Sequence, residues 1–265
     1  MLLTVMTFNV RGSFHPDGVN NWDQRRDLNI ATILKHAPDV IGFQEAQSGN
    51  LDAYVAELAE YDVELGALSI RQTKDYHRVP IFWRADRFEK VDCGSFYLSD
   101  TPDTWSIGWG TIFARAVTWV KLRSLVTGIE FVVLNTHFPH LPDADTARTE
   151  SARLVVRRLA EITANTCPAV VLADFNAVPT SDAYRVFMQH RYQDTYTANG
   201  SRADVNTFHG FRGRDFDEAD LRIDWILTKN GAQSFTTLRC IVITDEAPPL
   251  YPSDHYPVQA ELELV

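Results

Sequence analysis

One recurrence constrains this chain more than any other feature. An apolar run suited to a buried strand ends, and a carboxylate, amide or imidazole stands at its C-terminal edge. Asn9 follows Met6-Thr7-Phe8, and Glu45 follows Val40-Ile41-Gly42-Phe43-Gln44. Asn135 and His137 follow Phe131-Val132-Val133-Leu134, and Asp174 and Asn176 follow Val170-Val171-Leu172-Ala173. Asp224 lies inside Ile223–Leu227, and Ser253-Asp254-His255 precedes Tyr256-Pro257-Val258. The rim where strands end is where ligand sites form in α/β sheets. Bringing several such charges together costs free energy unless a metal or substrate offsets them.

Between these runs the pattern alternates strands with helices. Arg25–Ala37 carries Ile30, Ile33, Leu34 and Ala37 on one helical face and stops at Pro38. Leu51, Tyr54, Val55 and Leu58 mark a second amphipathic helix, and Asp143–Ala164 a long third with Ala152, Val155, Leu159 and Ile162 inward. From Val79 to Phe138 the character is sheet: Val79–Arg84, Phe88–Leu98, Ala116–Leu122 and Ile129–His137 follow one another without a helix. Tail strands are expected at Ile223–Leu227, Thr236–Thr244 and Pro257–Leu264. This mixture predicts two sheets packed face to face with helices outside, an α/β sandwich in one domain over residues 1–265. The order of the strands does not follow from the alternation.

Composition narrows the partners. The chain carries 25 Lys+Arg against 35 Asp+Glu, a formal charge of −10, which excludes coating nucleic acid by net charge. Five of the basic residues are Lys and 20 are Arg, favouring fork-shaped recognition of phosphate or carboxylate. Cys93, Cys167 and Cys240 follow no paired spacing and read as core thiols of a reducing compartment. Met1–Val10 reads as a first strand rather than a signal peptide, and no run reaches the roughly 20 apolar residues of a membrane span. A cytoplasmic protein without membrane contact is expected, of no stated oligomeric order. Trp22, Asp23, Arg25 and Arg26, after the loop Asp17–Asn21, read as helix capping and surface pairing.

The strand-end set is rich in oxygen and free of cysteine, so it suits Mg²⁺ or Mn²⁺ over Zn²⁺. Histidines beside it fit phosphate contacts or proton transfer, and together they point to phosphoryl chemistry. Segments Arg71–Arg78, Thr101–Thr111 and Ala198–Asp220 read as variable surface. Trp109, Phe208 and His209 are candidates for stacking on a substrate or, equally, for closing loops onto the core. His140, three residues after His137, is a candidate phosphate contact.

Taken in order, Thr7-Phe8-Asn9, Gly42-Phe43-Gln44-Glu45, Asn135-Thr136-His137, Asp174-Phe175-Asn176, Arg222-Ile223-Asp224-Trp225 and Ser253-Asp254-His255 resemble the endonuclease/exonuclease/phosphatase superfamily, in its compact bacterial form. The resemblance implies a four-layer α/β sandwich of two mixed sheets flanked by helices, and a Mg²⁺- or Mn²⁺-dependent phosphoesterase. It implies Glu45 as the main metal ligand with Asn9 and Asp254 in or near the metal shell. Asp174 and Asn176 would orient the attacking water and the phosphate. His255, paired with Asp224, would contact the phosphate or act as base, and His137 would stabilise charge or serve the leaving group. Arg115 matches, more weakly, a phosphate-binding arginine of related nucleases.

Ala173 departs from the Gly of many members, and the residues after Asn176 depart from the inositol polyphosphate phosphatases. The expected activity is that of a nuclease or other phosphodiesterase acting on nucleic acid or nucleotides. The alternatives are an esterase of small sugar or lipid phosphates and a non-catalytic binding module.

Overall fold

Strand Leu2–Asn9 (β1) buries both faces: Leu3 and Val5 alternate with Met6 and Phe8, all essentially inaccessible. A strand apolar on two faces needs a layer on each, and both are present. A computed structural model of the chain describes residues 1–69, 76–198, 200, 205–219 and 221–265. Two mixed six-stranded sheets face one another. The first joins β1 with β2 (Val40–Gln44), β3 (Tyr61–Glu64), β4 (Ile81–Arg84), β11 (Phe235–Val242) and β12 (Val258–Leu264), in the order β11-β12-β1-β2-β4-β3. The second joins β5 (Phe88–Tyr97), β6 (Ala116–Ser124), β7 (Glu130–His137), β8 (Ala169–Asp174), β9 (Gln193–Asp194) and β10 (Asp224–Lys229), in the order β5-β6-β7-β8-β10-β9.

Three apolar layers hold these sheets. Between them, Leu3, Val5, Val40 and Ile81 meet Val133, Val170, Leu172 and Ile226. Outside the first sheet, Met6, Phe8, Ile41 and Phe43 meet helices α1 (Trp22–His36) and α2 (Ser48–Glu57) through Ile30, Ile33, Leu51 and Tyr54. Outside the second, Val132, Leu134, Val171 and Ala173 meet α3 (Asp145–Thr163) and α4 (Asp182–Gln189). The order helix, sheet, sheet, helix is the expected sandwich. The Ala173 methyl is absorbed by this outer layer, fully buried. A one-turn helix, α5 (Thr195–Ala198), precedes β10.

The elements match the expected ones within a few residues, with instructive exceptions. Helix α1 starts at Trp22 because the Asn21 side chain accepts the Gln24 N–H, and it ends at Ala37 in the left-handed region before Pro38. Leu34 and Val55, expected inward, are 52% and 58% exposed. Arg25, expected to pair at the surface, is instead fully buried. Its guanidinium donates to the carbonyls of Asn20, Val10, Pro252 and Arg11, tying α1 to the β1 exit and to the segment before β12. Part of the variable segments, residues 70–75, 199, 201–204 and 220, lies outside the described residues. Among the described residues no helix is long and apolar enough to cross a membrane.

Candidate active site

Sheet direction explains why the strand-end residues converge. In the first sheet β1 and β2 run parallel, so Asn9 stands opposite Gln44 with Glu45 one residue beyond. In the second, β7 and β8 run parallel with His137 opposite Asp174, while β10 runs antiparallel and begins with Asp224 opposite the same Asp174. Strand β12 is antiparallel to β1, so Ser253-Asp254-His255 enters at this rim as well. Three exits turn on non-glycine residues with positive φ: Arg11 (51°), Glu45 (59°) and Asn176 (47°). Such angles are uncommon for side-chain-bearing residues and cluster at functional sites.

A polar belt ties the sheets together under the rim. Asn135 donates to the Phe43 and Pro80 carbonyls at 2.8 and 2.9 Å, and Gln44 donates to Asn135 Oδ1 at 2.7 Å. Asn135 is thereby a structural amide with its hydrogen-bonding groups used internally. Gly42 permits this approach, since a Cβ there would lie 2.9 Å from both the Asn135 side chain and Leu172 Cβ.

Above the belt, Asn9 Nδ2 donates to Asp174 Oδ2 at 2.9 Å and to Glu45 Oε1 at 3.1 Å. Asn176 N–H donates to Asp174 Oδ1 at 2.9 Å, and its side chain donates to the Phe138 carbonyl at 3.1 Å. His255 Nδ1 lies 2.9 Å from Asp224 Oδ2. A carboxylate accepts, so Nδ1 donates and Nε2 is turned toward Asp174 Oδ2, 3.9 Å away. Arg115 places one Nη 2.9 Å from His137 Nδ1 and the other 2.9 Å from His140 Nδ1. Guanidinium only donates, so both histidines accept at Nδ1 and carry their protons on Nε2. His137 Nε2 lies 3.3 Å from Asp174 Oδ2. Asp254 is buried with Arg11 3.8 Å away.

Burial and neighbouring charge set the protonation states. Burial, reinforced by the Asp224 carboxylate, pushes Asp174 up to about 7. Burial opposes charge on His255, but Asp224 and Asp174 outweigh it and raise the imidazole to about 10. Burial also opposes charge on Glu45, yet contacts with His15 and the nearby imidazoles hold it well below the usual carboxylate range. Burial and then Arg115 push His137 well down, which matches its role as acceptor. Burial raises Asp254.

A cleft of about 450 Å³ opens beside these groups, lined by Arg11, His15, Glu45, His77, Arg115 and His137 among others. His140 borders it, its ring stacked on Phe113 at 5.8 Å. Phe208 stands on the other flank, edge-on to His255 at 5.0 Å. Two expected substrate contacts, Trp109 and His209, are not among the residues that line this cleft. Trp109 is partly buried against the outer core and donates Nε1–H to Asp100 Oδ1 at 3.0 Å. His209 is buried, stacked on Tyr256 at 4.0 Å and accepting the Gly213 N–H, so a base has no face of it to stack on. Arg11, His15 and His77 went unnoticed in the sequence; their signal was cationic and imidazole side chains in loops next to a strand-end motif.

The donor set fits a divalent cation. Glu45, Asp174, Asp224 and Asp254 are gathered at one rim with an amide oxygen source at Asn9, and Asp224 Oδ1 has no hydrogen-bond partner among the described residues. Oxygen donors of this kind suit hard divalent ions.

A two-sheet sandwich with an acid, amide and imidazole site at one rim defines a hydrolase of the phosphoesterase class. The sequence model of the Endonuclease/Exonuclease/phosphatase family matches residues 6–255, and the chain belongs to that family. Its members are generally dependent on divalent metal. An endonuclease/exonuclease/phosphatase from Bacteroides vulgatus is 31% identical, covering 100% of both chains with a TM-score of 0.89. The Bacteroides thetaiotaomicron mannosyl-6-phosphatase is 31% identical, covering 99% of both chains with a TM-score of 0.86. A CCR4-Not complex 3'-5'-exoribonuclease subunit of Aspergillus niger is 21% identical over 69% of this chain, which matches 34% of that protein.

Proposed function

We propose that this chain is a divalent-metal-dependent phosphomonoesterase acting on a small phosphorylated molecule, a sugar phosphate foremost. The observation that carries the reading is the cleft of about 450 Å³ beside Glu45 and His137, ringed by Arg and His side chains. Its size suits one small ligand. The full-length likeness to a mannosyl-6-phosphatase supports the same class.

Glu45 would hold the metal, with Asn9 and Asp254 beside it; the bound ion would supply Lewis acidity and neutralise phosphate charge. Asp174, which accepts from Asn9 and Asn176, would receive a proton from water near its Oδ2. His255, held as imidazolium by Asp224, presents Nε2 to a phosphate oxygen. His137 and His140, held by Arg115 with protons on Nε2, offer neutral donors, and Arg115 adds fixed positive charge behind them. The binding-module alternative requires that Glu45, Asp174 and His255 be retained without use.

The test is a panel of hexose 6-phosphates and glycosyl phosphates against bis(p-nitrophenyl) phosphate and single-stranded oligonucleotides, each with Mg²⁺ or Mn²⁺. Preferential release of inorganic phosphate from the small monoesters is expected. Faster turnover of the oligonucleotides refutes it and favours the second reading, a phosphodiesterase on short single strands. That second reading draws on Phe208 beside His255, half-buried and placed to stack on a base.

A further inference from the structure

Two histidines on the cleft wall, His15 and His77, have no part in the chemistry above. His15 Nε2 lies 3.4 Å from Glu45 Oε2, and His77 lies beside them. One nitrogen from each histidine and one Glu45 oxygen all fall within 4.8 Å of one another. The two imidazoles meet edge to face, 5.7 Å between centroids. His15 Nε2 is sealed from solvent yet makes no hydrogen bond among the described residues. A buried ring nitrogen aimed at a carboxylate without bonding to it is costly unless something lies between them.

Both histidines are held from the same direction. The loop bearing His15 is pinned to the start of α2: Ser13 N–H donates to Asn50 Oδ1 at 2.9 Å and Phe14 N–H to Gln47 Oε1 at 2.8 Å. Gly12 lets that loop sit flush, since a Cβ there would lie 2.4 Å from Gln47 Oε1. The segment bearing His77 is pinned to the residue after Glu45, because Ala46 and Arg78 form a two-way backbone bridge at 3.2 and 2.9 Å. The His77 N–H and carbonyl are both bonded to Ser69. Three segments far apart in sequence thus present two nitrogens and one oxygen to one point.

We propose that His15, Glu45 and His77 form a second cation site, taking a divalent transition ion such as Mn²⁺, Fe²⁺ or Zn²⁺. The Glu45 carboxylate is shared: Oε1 faces Asn9, and Oε2 faces His15. Two imidazoles and one carboxylate select borderline ions over Mg²⁺ and leave coordination positions open toward the cleft. The inference rests on Glu45 as metal ligand in the proposed function, but not on the substrate. Paired ions bridged by protein oxygen are a common device for holding phosphate.

The experiment is metal counting by mass spectrometry after equilibrium dialysis against Mn²⁺, with electron paramagnetic resonance on the same samples. Wild-type protein should hold about two ions per chain, spin-coupled through Glu45, and His15→Asn and His77→Asn about one. Nitrogen modulation in the spin echo of wild-type protein should report imidazole ligation, which needs no variant. A count of one in all three proteins, or a wild-type echo without nitrogen, overturns the site. A raised KM for phosphoester in the variants at an unchanged count makes the histidines substrate contacts and overturns it equally. Because the count needs no substrate, inactivity toward sugar phosphates at a count of two would sink the proposed function and leave this site standing.

Discussion

Replacing Asp174 by Asn should abolish turnover and stabilise the protein. Asp174 is 1% exposed and faces Asp224 across the β8–β10 register. Its folded pKa, about 7 against an ordinary 3.8, exceeds the unfolded value, so protonation favours the folded state. The associated stability is fully present below about pH 4 and is lost as pH rises through about 7. At ~1.36 kcal/mol per pK unit, ionisation costs the native state on the order of 4 kcal/mol at neutral pH. Asparagine removes that cost but offers one acceptor oxygen to two donors, Asn9 Nδ2 and the Asn176 N–H, while Asn9 Oδ1 is already used by the Arg11 N–H. One lost hydrogen bond costs ~1–2 kcal/mol. The net gain is ~2 kcal/mol, roughly 4–8 °C in Tm for a chain of this size.

Thermal melts of wild type and Asp174→Asn in EDTA, from pH 4 to pH 8, measure it directly. The variant should melt higher at pH 8 and lose its advantage toward pH 4, where the wild-type carboxyl is protonated in the folded state. A variant that melts lower at pH 8, or a difference that does not change with pH, refutes the reasoning. Either result would mean that the buried acid pair is already neutralised within the protein.

Three further outcomes follow from single contacts. Asp224→Asn removes the carboxylate that raises His255 to about 10, so the basic limb of the pH–rate profile should move to lower pH while kcat falls ~10²–10⁴-fold; an unmoved limb would dissociate the pair from catalysis. Arg25→Met leaves the Asn20, Val10, Pro252 and Arg11 carbonyls without their buried donor and should lower unfolding free energy in urea by ~3 kcal/mol, against less than ~1 if those bonds are dispensable. Arg115→Lys cannot reach both His137 Nδ1 and His140 Nδ1 with a planar fork, so kcat/KM for small phosphoesters should fall at least ~10-fold at unchanged Tm; full activity would show that the two histidines keep their orientation unaided.

The layers were readable because burial leaves a periodic trace. Val170-Val171-Leu172-Ala173 is apolar at every position because β8 is covered on both faces, and that pattern survives without knowledge of its neighbours. Strand order was not readable, since β1 lies between β12 and β2, a pairing that joins the two ends of the chain through contacts no local window contains. Short elements escaped for a related reason. Strand β9 has two residues, and β3 (Tyr61–Glu64) is half-buried at a sheet edge, so neither leaves a run to detect. Arg25 shows the limit most sharply: four carbonyls from three separate segments hold a buried residue whose sequence setting is that of a surface cation.

The site divides along the same line. Asn9, Glu45, His137, Asp174, Asp224 and Asp254-His255 were recognisable because each follows or opens a strand, and parallel or antiparallel register then carries them to one rim. His15 and His77 ride on loops whose approach is decided by Asn50, Gln47 and Ala46, so their sequence position says little about where they point. Trp109 and His209 show the converse: near motifs in sequence, the first is partly buried against the outer core and the second fully buried, so sequence proximity alone does not bring a ring into the cleft. What unites the site is electrostatic debt. Four carboxylates stand at one rim with Arg11 and His255 as opposing charges, and the burial and crowding that raise Asp174 and leave an Asp224 oxygen unbonded among the described residues make the rim receptive to cations. The overall charge of −10 is therefore no obstacle to the proposed anionic substrate, because the field inside the cleft would be set by a bound cation and the guanidinium groups at its wall rather than by the surface total.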